Sequence, residues 1–152
     1  MSSSRAQPIP DEKEQRADRE RQQYRLEMAA WLAEKHWSYF VTLTFKPPPG
    51  PESMRQPPPP PRSPAVVTKR VKAYIRSVGR RARKRVPHFV TLEHHADGES
   101  LHVHLLIAGT AQYQAKELEA LWPWGFARAE RIDDEPETRA AYVSKTVENR
   151  SD

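Results

Sequence analysis

The chain has 152 residues, which suits one domain with one modest core on the usual scale of roughly 100–200 residues per domain and excludes a multi-domain machine. Lysine and arginine number 25 against 20 acids, a net charge of +5, and there is no cysteine, which excludes disulfide staples, thiolate zinc fingers and a cysteine nucleophile. No apolar run approaches the ~20 residues that cross a bilayer, and Met1–Pro10 lacks the apolar stretch of a secretory signal, so the expectation is a cytoplasmic protein with no membrane partner.

Only 37% of residues are hydrophobic and fifteen are proline, so part of the chain is expected not to fold. Residues 1–22, with acids and bases interspersed, read as a disordered polar tail, and residues 150–152 as a second tail around a folded domain at 23–149. Tyr24, Met28, Trp31 and Leu32 recur at helical spacing. The run from Trp37 to Phe45, dense in aromatic and β-branched residues and halted by Pro47, reads as a buried strand. Ten of the fifteen prolines fall at 47–64, which makes that stretch a loop. Ser63 as N-cap and Pro64 at the first helical position open a helix to about Arg85, with Val67, Val71, Tyr74, Ile75 and Val78 on one side.

Two β-rich runs follow, His88 to Glu93 and Leu101 to Ile107, joined through Asp97-Gly98, the strongest short hairpin signal. Gln112 to Trp122 is helix-prone, Gly125 to Ile132 alternates as a strand, and Pro136 starts a last helix to about Asn149. Hairpins mixed with helices imply an α+β fold, an antiparallel or mixed sheet with helices packed on it.

A two-residue turn at Asp97-Gly98 pairs Glu93 with His102, Thr91 with His104 and His95 with Ser100. His102 and His104, two apart on a strand, then share one face with Glu93, while Val103 and Leu105 point with Val90 and Leu92 into the core. Directly opposed residues have Cβ atoms ~4.5–5.5 Å apart, so Glu93, His102 and His104 can share one ion. Two imidazoles and a carboxylate leave positions open for water or a phosphate oxygen, and suit magnesium, manganese or zinc. His95 is the reserve ligand, and His94 falls on the other face in this register. Against this stands the bland alternative of two histidines on an ordinary strand.

In the last helix Tyr142 and Lys145, three apart, project together, away from an apolar side of Ala140, Val143 and Val147. A phenol of pKa ~10 needs a neighbouring cation or metal to act as a nucleophile near neutrality, and Lys145 can supply one. A tyrosine that merely packs on the sheet fits the same spacing. The helix from Ser63 carries Lys69, Arg70, Lys72, Arg76, Arg80, Arg81, Arg83, Lys84 and Arg85 without one acid, which points to phosphates. Trp122 and Trp124 either stack on bases or plug the core beside Pro123 and Gly125.

Three segments in order, YFVTLTF at Tyr39–Phe45, LHVHLLI at Leu101–Ile107 and YVSK at Tyr142–Lys145, resemble the motifs of the HUH endonucleases, specifically the rolling-circle replication initiators of plasmids and phages. The resemblance runs from Trp37 to about Asn149 and includes WGFARAERID before the tyrosine helix. It implies a ferredoxin-like or RRM-like antiparallel sheet, Mg²⁺ or Mn²⁺ on His102 and His104 with Glu93 as third ligand, and attack of Tyr142 on a DNA phosphate. Thr146 stands where two-tyrosine initiators carry their second tyrosine, which implies a single-tyrosine enzyme. The expected activity is nicking of single-stranded origin DNA through a 5′-phosphotyrosine bond to start rolling-circle replication. Lys145 would steady charge and Lys69, Lys72, Arg76, Arg80 and Arg83 would follow the DNA backbone. A host polymerase or helicase would be a partner, and no small-molecule cofactor is expected. Within the same superfamily a transposase or relaxase is the alternative. From another class, a noncatalytic RRM-like module would show stacking aromatics on its central strands and need no metal.

Overall fold

A computed structural model describes residues 11–45, 63–94, 101–133 and 135–148. Along the chain run α1 (Glu12–Ala33), β1 (Trp37–Leu43), α2 (Pro64–Ala82), β2 (His88–His94), β3 (Leu101–Ala108), α3 (Ala115–Glu119), β4 (Ala127–Arg131) and α4 (Pro136–Glu148). This is the expected order of elements. The strands form one sheet in the order β2-β3-β1-β4, and every neighbouring pair is antiparallel. That is the split βαββαβ arrangement of ferredoxin-like and RRM-like folds, with α1 and α4 added before and after it. Both the Pro-rich stretch at 47–62 and the Asp97-Gly98 turn lie outside the described residues.

Strand alternation sends side chains to two faces, and each face has its own core. On one face Tyr39, Val41, Leu43, Val103, Leu105, Ile107, Ala127 and Ala129 meet Val67, Val71, Tyr74 and Val78 of α2 and Leu118 of α3. We call it the closed face. On the other, Phe40 and Leu106 pack with Leu32 of α1, with Ile132, and with Val143 and Val147 of α4. Toward the β2–β3 turn this second core gives way to polar side chains.

Three boundaries differ from the sequence reading. First, α1 begins at Glu12, so residues 12–22 are helical rather than a disordered tail. Asp11 caps it, its carboxylate accepting from the Glu14 N–H at 2.7 Å, and Glu12 and Glu14 favour the positive end of the helix dipole. Side chains on this polar stretch pair along the helix, Arg21 with Asp18 and Gln23 with Glu27. Second, α2 ends at Ala82 because Arg83 adopts a left-handed conformation (φ 55°), which places Arg83, Lys84 and Arg85 beyond the helix. Third, α3 is short. Tertiary bonds hold Tyr113 out of it, since its carbonyl accepts from the Tyr39 hydroxyl and from Arg131 while its own hydroxyl donates to the Arg81 carbonyl.

Trp122 settles into the closed-face core with its indole N–H donating to the Thr44 carbonyl at 2.8 Å. It plugs the core and does not stack on bases. Beside it Gly125 comes so close to β1 that a Cβ there would lie 2.1 Å from the Thr44 carbonyl oxygen.

Candidate metal and tyrosine site

The hairpin register decides which residues meet. In β2 and β3, Glu93 pairs with His102, Thr91 with His104, and His94 with Leu101. The register expected from Asp97-Gly98 is therefore the one observed on both strands, while His95 lies outside the described residues. One potential ligand atom from each of Glu93, His102 and His104 falls within 4.8 Å of the others. His104 is buried and Glu93 half-buried, and His104 Nε2 lies 2.7 Å from Glu93 Oε2. On the other side of that ring Nδ1 is 3.4 Å from Thr42 Oγ1. In the tautomer that frees Nε2 for an ion, Nδ1–H donates to this hydroxyl, which fixes the ring as outer partners of metal-bound histidines do. Two nitrogens and a carboxylate converging on one point are a donor set that fits a divalent cation.

Phe40 connects this cluster to α4. Fully buried in the second core, its ring stacks on His104 with centroids 5.4 Å apart and 15° between planes. Tyr142 leans on the same ring at 5.3 Å, and the Lys145 ammonium sits 5.1 Å from its centroid. The apolar side of α4, with Val143 and Val147 buried, docks the helix so that Tyr142 and Lys145 face this ring. Partial burial pushes the Tyr142 phenol above its ordinary pKa, Glu130 and Asp133 push the same way, and Arg128 opposes them. Thr146, where a second tyrosine would stand, is fully buried and donates to the Tyr142 carbonyl at 2.8 Å.

The sequence covered by these elements matches the model of a known family, the replication-associated proteins of the ORF2 type, over residues 38–150. The chain belongs to that family. The match takes in the sheet, α2, α3 and α4 and leaves α1 outside it. No curated protein matches the chain. Among solved structures, the hypothetical protein ORF119 from Sulfolobus islandicus rod-shaped virus 1 superposes with a TM-score of 0.52 at 13% identity, over 86% of this chain and 95% of that one. At that identity the likeness is one of fold.

For this replication-associated protein the structure also separates residues that the sequence reading had grouped. The basic helix α2 packs on the closed face, so Lys69, Lys72, Arg76 and Arg80, with Arg83 just after it, lie on the other side of the sheet from Glu93, His102, His104 and Tyr142. Some of its charge is also engaged within the fold: Arg81 pairs with Glu117 at 2.6 Å, and Arg70 sits over the Phe45 and Trp124 rings. Conversely, Phe40, Thr42 and Arg128 belong to the site's surroundings and were missed. Within WSYFVTLTF nearly every residue is buried, so no polar alternation showed which positions look toward the histidines. Among the described residues no helix is long and apolar enough to cross a membrane.

Proposed function

We propose that this protein is a single-tyrosine HUH-type endonuclease that nicks single-stranded origin DNA and starts rolling-circle replication in the cytoplasm. The observation that carries the reading is the convergence on Phe40, which brings His104 of the cluster together with Tyr142 and Lys145. Glu93, His102 and His104 would hold Mg²⁺ or Mn²⁺. When bound, that ion supplies polarisation of a phosphate oxygen and stabilises charge developing on it. Tyr142 attacks the scissile phosphorus. An Oη–P bond forms, the P–O3′ bond breaks, and the phenolic proton passes to solvent or to the leaving 3′ oxygen. One phosphodiester replaces another, so the bond energy is kept for rejoining, and the free 3′-OH primes a host polymerase. Lys145, held against Phe40 at the same place, offsets the phenolate charge that partial burial disfavours.

Because α2 lies behind the sheet, its cations serve a stretch of DNA other than the strand at Tyr142. A noncatalytic RRM-like module would display aromatics on its two central strands. Here β1 and β3 carry Thr42, His102 and His104 toward the cluster, and their rings Tyr39 and Phe40 are buried. The test is incubation of the full chain with labelled single strands, carrying the origin or drawn from a random-sequence pool, with and without Mn²⁺, followed by a denaturing gel. A covalent band that requires metal is expected. Its absence under both conditions overturns the proposal.

A further inference from the structure

The polar part of the open face does not stop at the cluster. It continues across β1 to β4, where Thr42 pairs with Arg128 and the Thr44 N–H donates to the Phe126 carbonyl at 2.9 Å. Ala127 and Ala129 are buried in the closed-face core, so alternation assigns Phe126, Arg128 and Glu130 to the open face. From the cluster strand to β4 is two strand spacings, ~10 Å, which a dinucleotide spans.

Phe126 is the exception among the rings of the sheet. It is 51% exposed, while Tyr39, Phe40, Phe45 and Trp122 are buried. Its backbone is nevertheless pinned. The Thr44 hydroxyl contacts both its N–H and its carbonyl, at 3.3 and 3.0 Å, and Gly125 before it is pressed against the Thr44 carbonyl. An apolar ring held fixed in water gains nothing for the fold by being there, and fits a surface that receives a flat partner. Two residues on, the Arg128 side chain is 69% exposed, with Glu130 at 3.3 Å as its carboxylate neighbour. Its influence on the Tyr142 phenol places it on the tyrosine's side of the sheet.

We propose that Phe126 and Arg128 form a nucleotide subsite beside the cut, the Phe126 ring stacking on an unpaired base and the Arg128 guanidinium holding a phosphate of the same single strand of DNA. The inference rests on the reading of the open face as the place of strand cleavage. A base stacks through its flat face whatever its identity, so this subsite sets position along the strand and not sequence.

Fluorescence anisotropy with a labelled oligo-dT strand tests it on the full chain. Phe126→Ala is expected to weaken binding by about 5- to 140-fold, the usual range for one base on one ring, and Phe126→Trp to restore it. An abasic nucleotide moved along the strand should find one position at which wild type falls to the level of Phe126→Ala and the variant loses nothing further. Arg128→Gln should lower the log–log salt slope by about 0.7, one phosphate contact, whereas Phe126→Ala leaves the slope alone. Equal affinity in wild type and both variants, failure of wild type to bind oligo-dT, or a Phe126→Ala deficit identical at every abasic position overturns the subsite. The Mn²⁺-dependent covalent band separates the two readings. If the band is absent while Phe126-dependent binding persists, the nicking reading fails and the subsite stands; if the band is present while neither variant changes binding, the subsite alone fails.

Discussion

The two faces of the one sheet are made by the same four strands and differ in what covers them. The closed face is apolar from end to end and sealed by α2, α3 and Trp122. The open face is apolar only where α1 and α4 reach, around Phe40 and Leu106, and beyond that it carries Glu93, Thr42, His102 and His104. Residues one apart on β3 therefore do unrelated work, Val103 and Leu105 in stability and His102 and His104 in chemistry. The lesson is that this small domain places its stability on one face, which leaves the other free to hold polar groups whose burial would otherwise cost it.

Substitutions on the two faces should separate cleanly. The largest effect is expected from Tyr142→Phe, which keeps the ring against Phe40 but removes the attacking oxygen: the covalent band should vanish while Mn²⁺ binding and thermal melting stay as in wild type. An adduct mapped by mass spectrometry to Tyr113 or Tyr74 would break the assignment. On the closed face, fully buried Leu105→Ala should cost about 2–5 kcal/mol in chemical denaturation. Its neighbour His102→Ala should melt close to wild type and lose the ion, and equal losses of stability would erase the contrast between the faces.

A subtler effect is expected within β2. Glu93→Ala should weaken Mn²⁺ binding on the order of 10–100-fold or more, and His94→Ala far less, because Glu93 and not His94 pairs with His102. The reverse result in a titration would place a bulge in the strand. Behind the sheet, neutralising Arg76, Arg80 and Arg83 together should flatten the salt dependence of DNA binding by about 2 in log–log slope, while the adduct rate at saturating DNA stays unchanged. A collapse of that rate would mean that α2 works on the cut strand after all.

The smallest predicted change concerns Tyr74, whose hydroxyl donates to the Leu118 carbonyl at 2.9 Å inside the closed core. Burial, aided by Glu119, pushes its phenol well above the ordinary value. The folded state therefore keeps a proton that the unfolded chain releases near pH 10, so this residue's stabilisation is complete below that pH and fades as pH rises past it. Tyr74→Phe should cost about 1 kcal/mol near neutrality and make stability decline less steeply in alkaline melts. Parallel pH curves for the two proteins would refute the linkage.

Much of the fold was legible because local signals agreed with the global one. Asp97-Gly98 between two β-rich runs gave the register, and the register carried the ligand cluster with it. Ser63-Pro64 marked the start of α2 correctly. Legibility failed where a tertiary arrangement decides. Nothing local to the run of cations in α2 says which side of the sheet that helix will cover, since its apolar stripe fits either. Phe40 reads as one more core residue, and its contact with three chemically active side chains arises only when β1, β3 and α4 are brought together. The early start of α1 was hidden for another reason: a helix polar on all sides has no hydrophobic periodicity to read, and is held by its cap and its side-chain pairs.

The second core joins Leu32, from the helix before the sheet, to Val143 and Val147, from the helix after it. During synthesis the chain is finished through β4, and so through Glu93, His102 and His104, before α4 has been made. At ribosomal speed α4 follows on the order of a second later. Until it arrives α1 has no partner in that core and Phe40 has no tyrosine against it. A nascent chain is thus able to assemble its ion-binding residues before it has a phenol in place, and the last helix to be translated is the one that completes the chemistry.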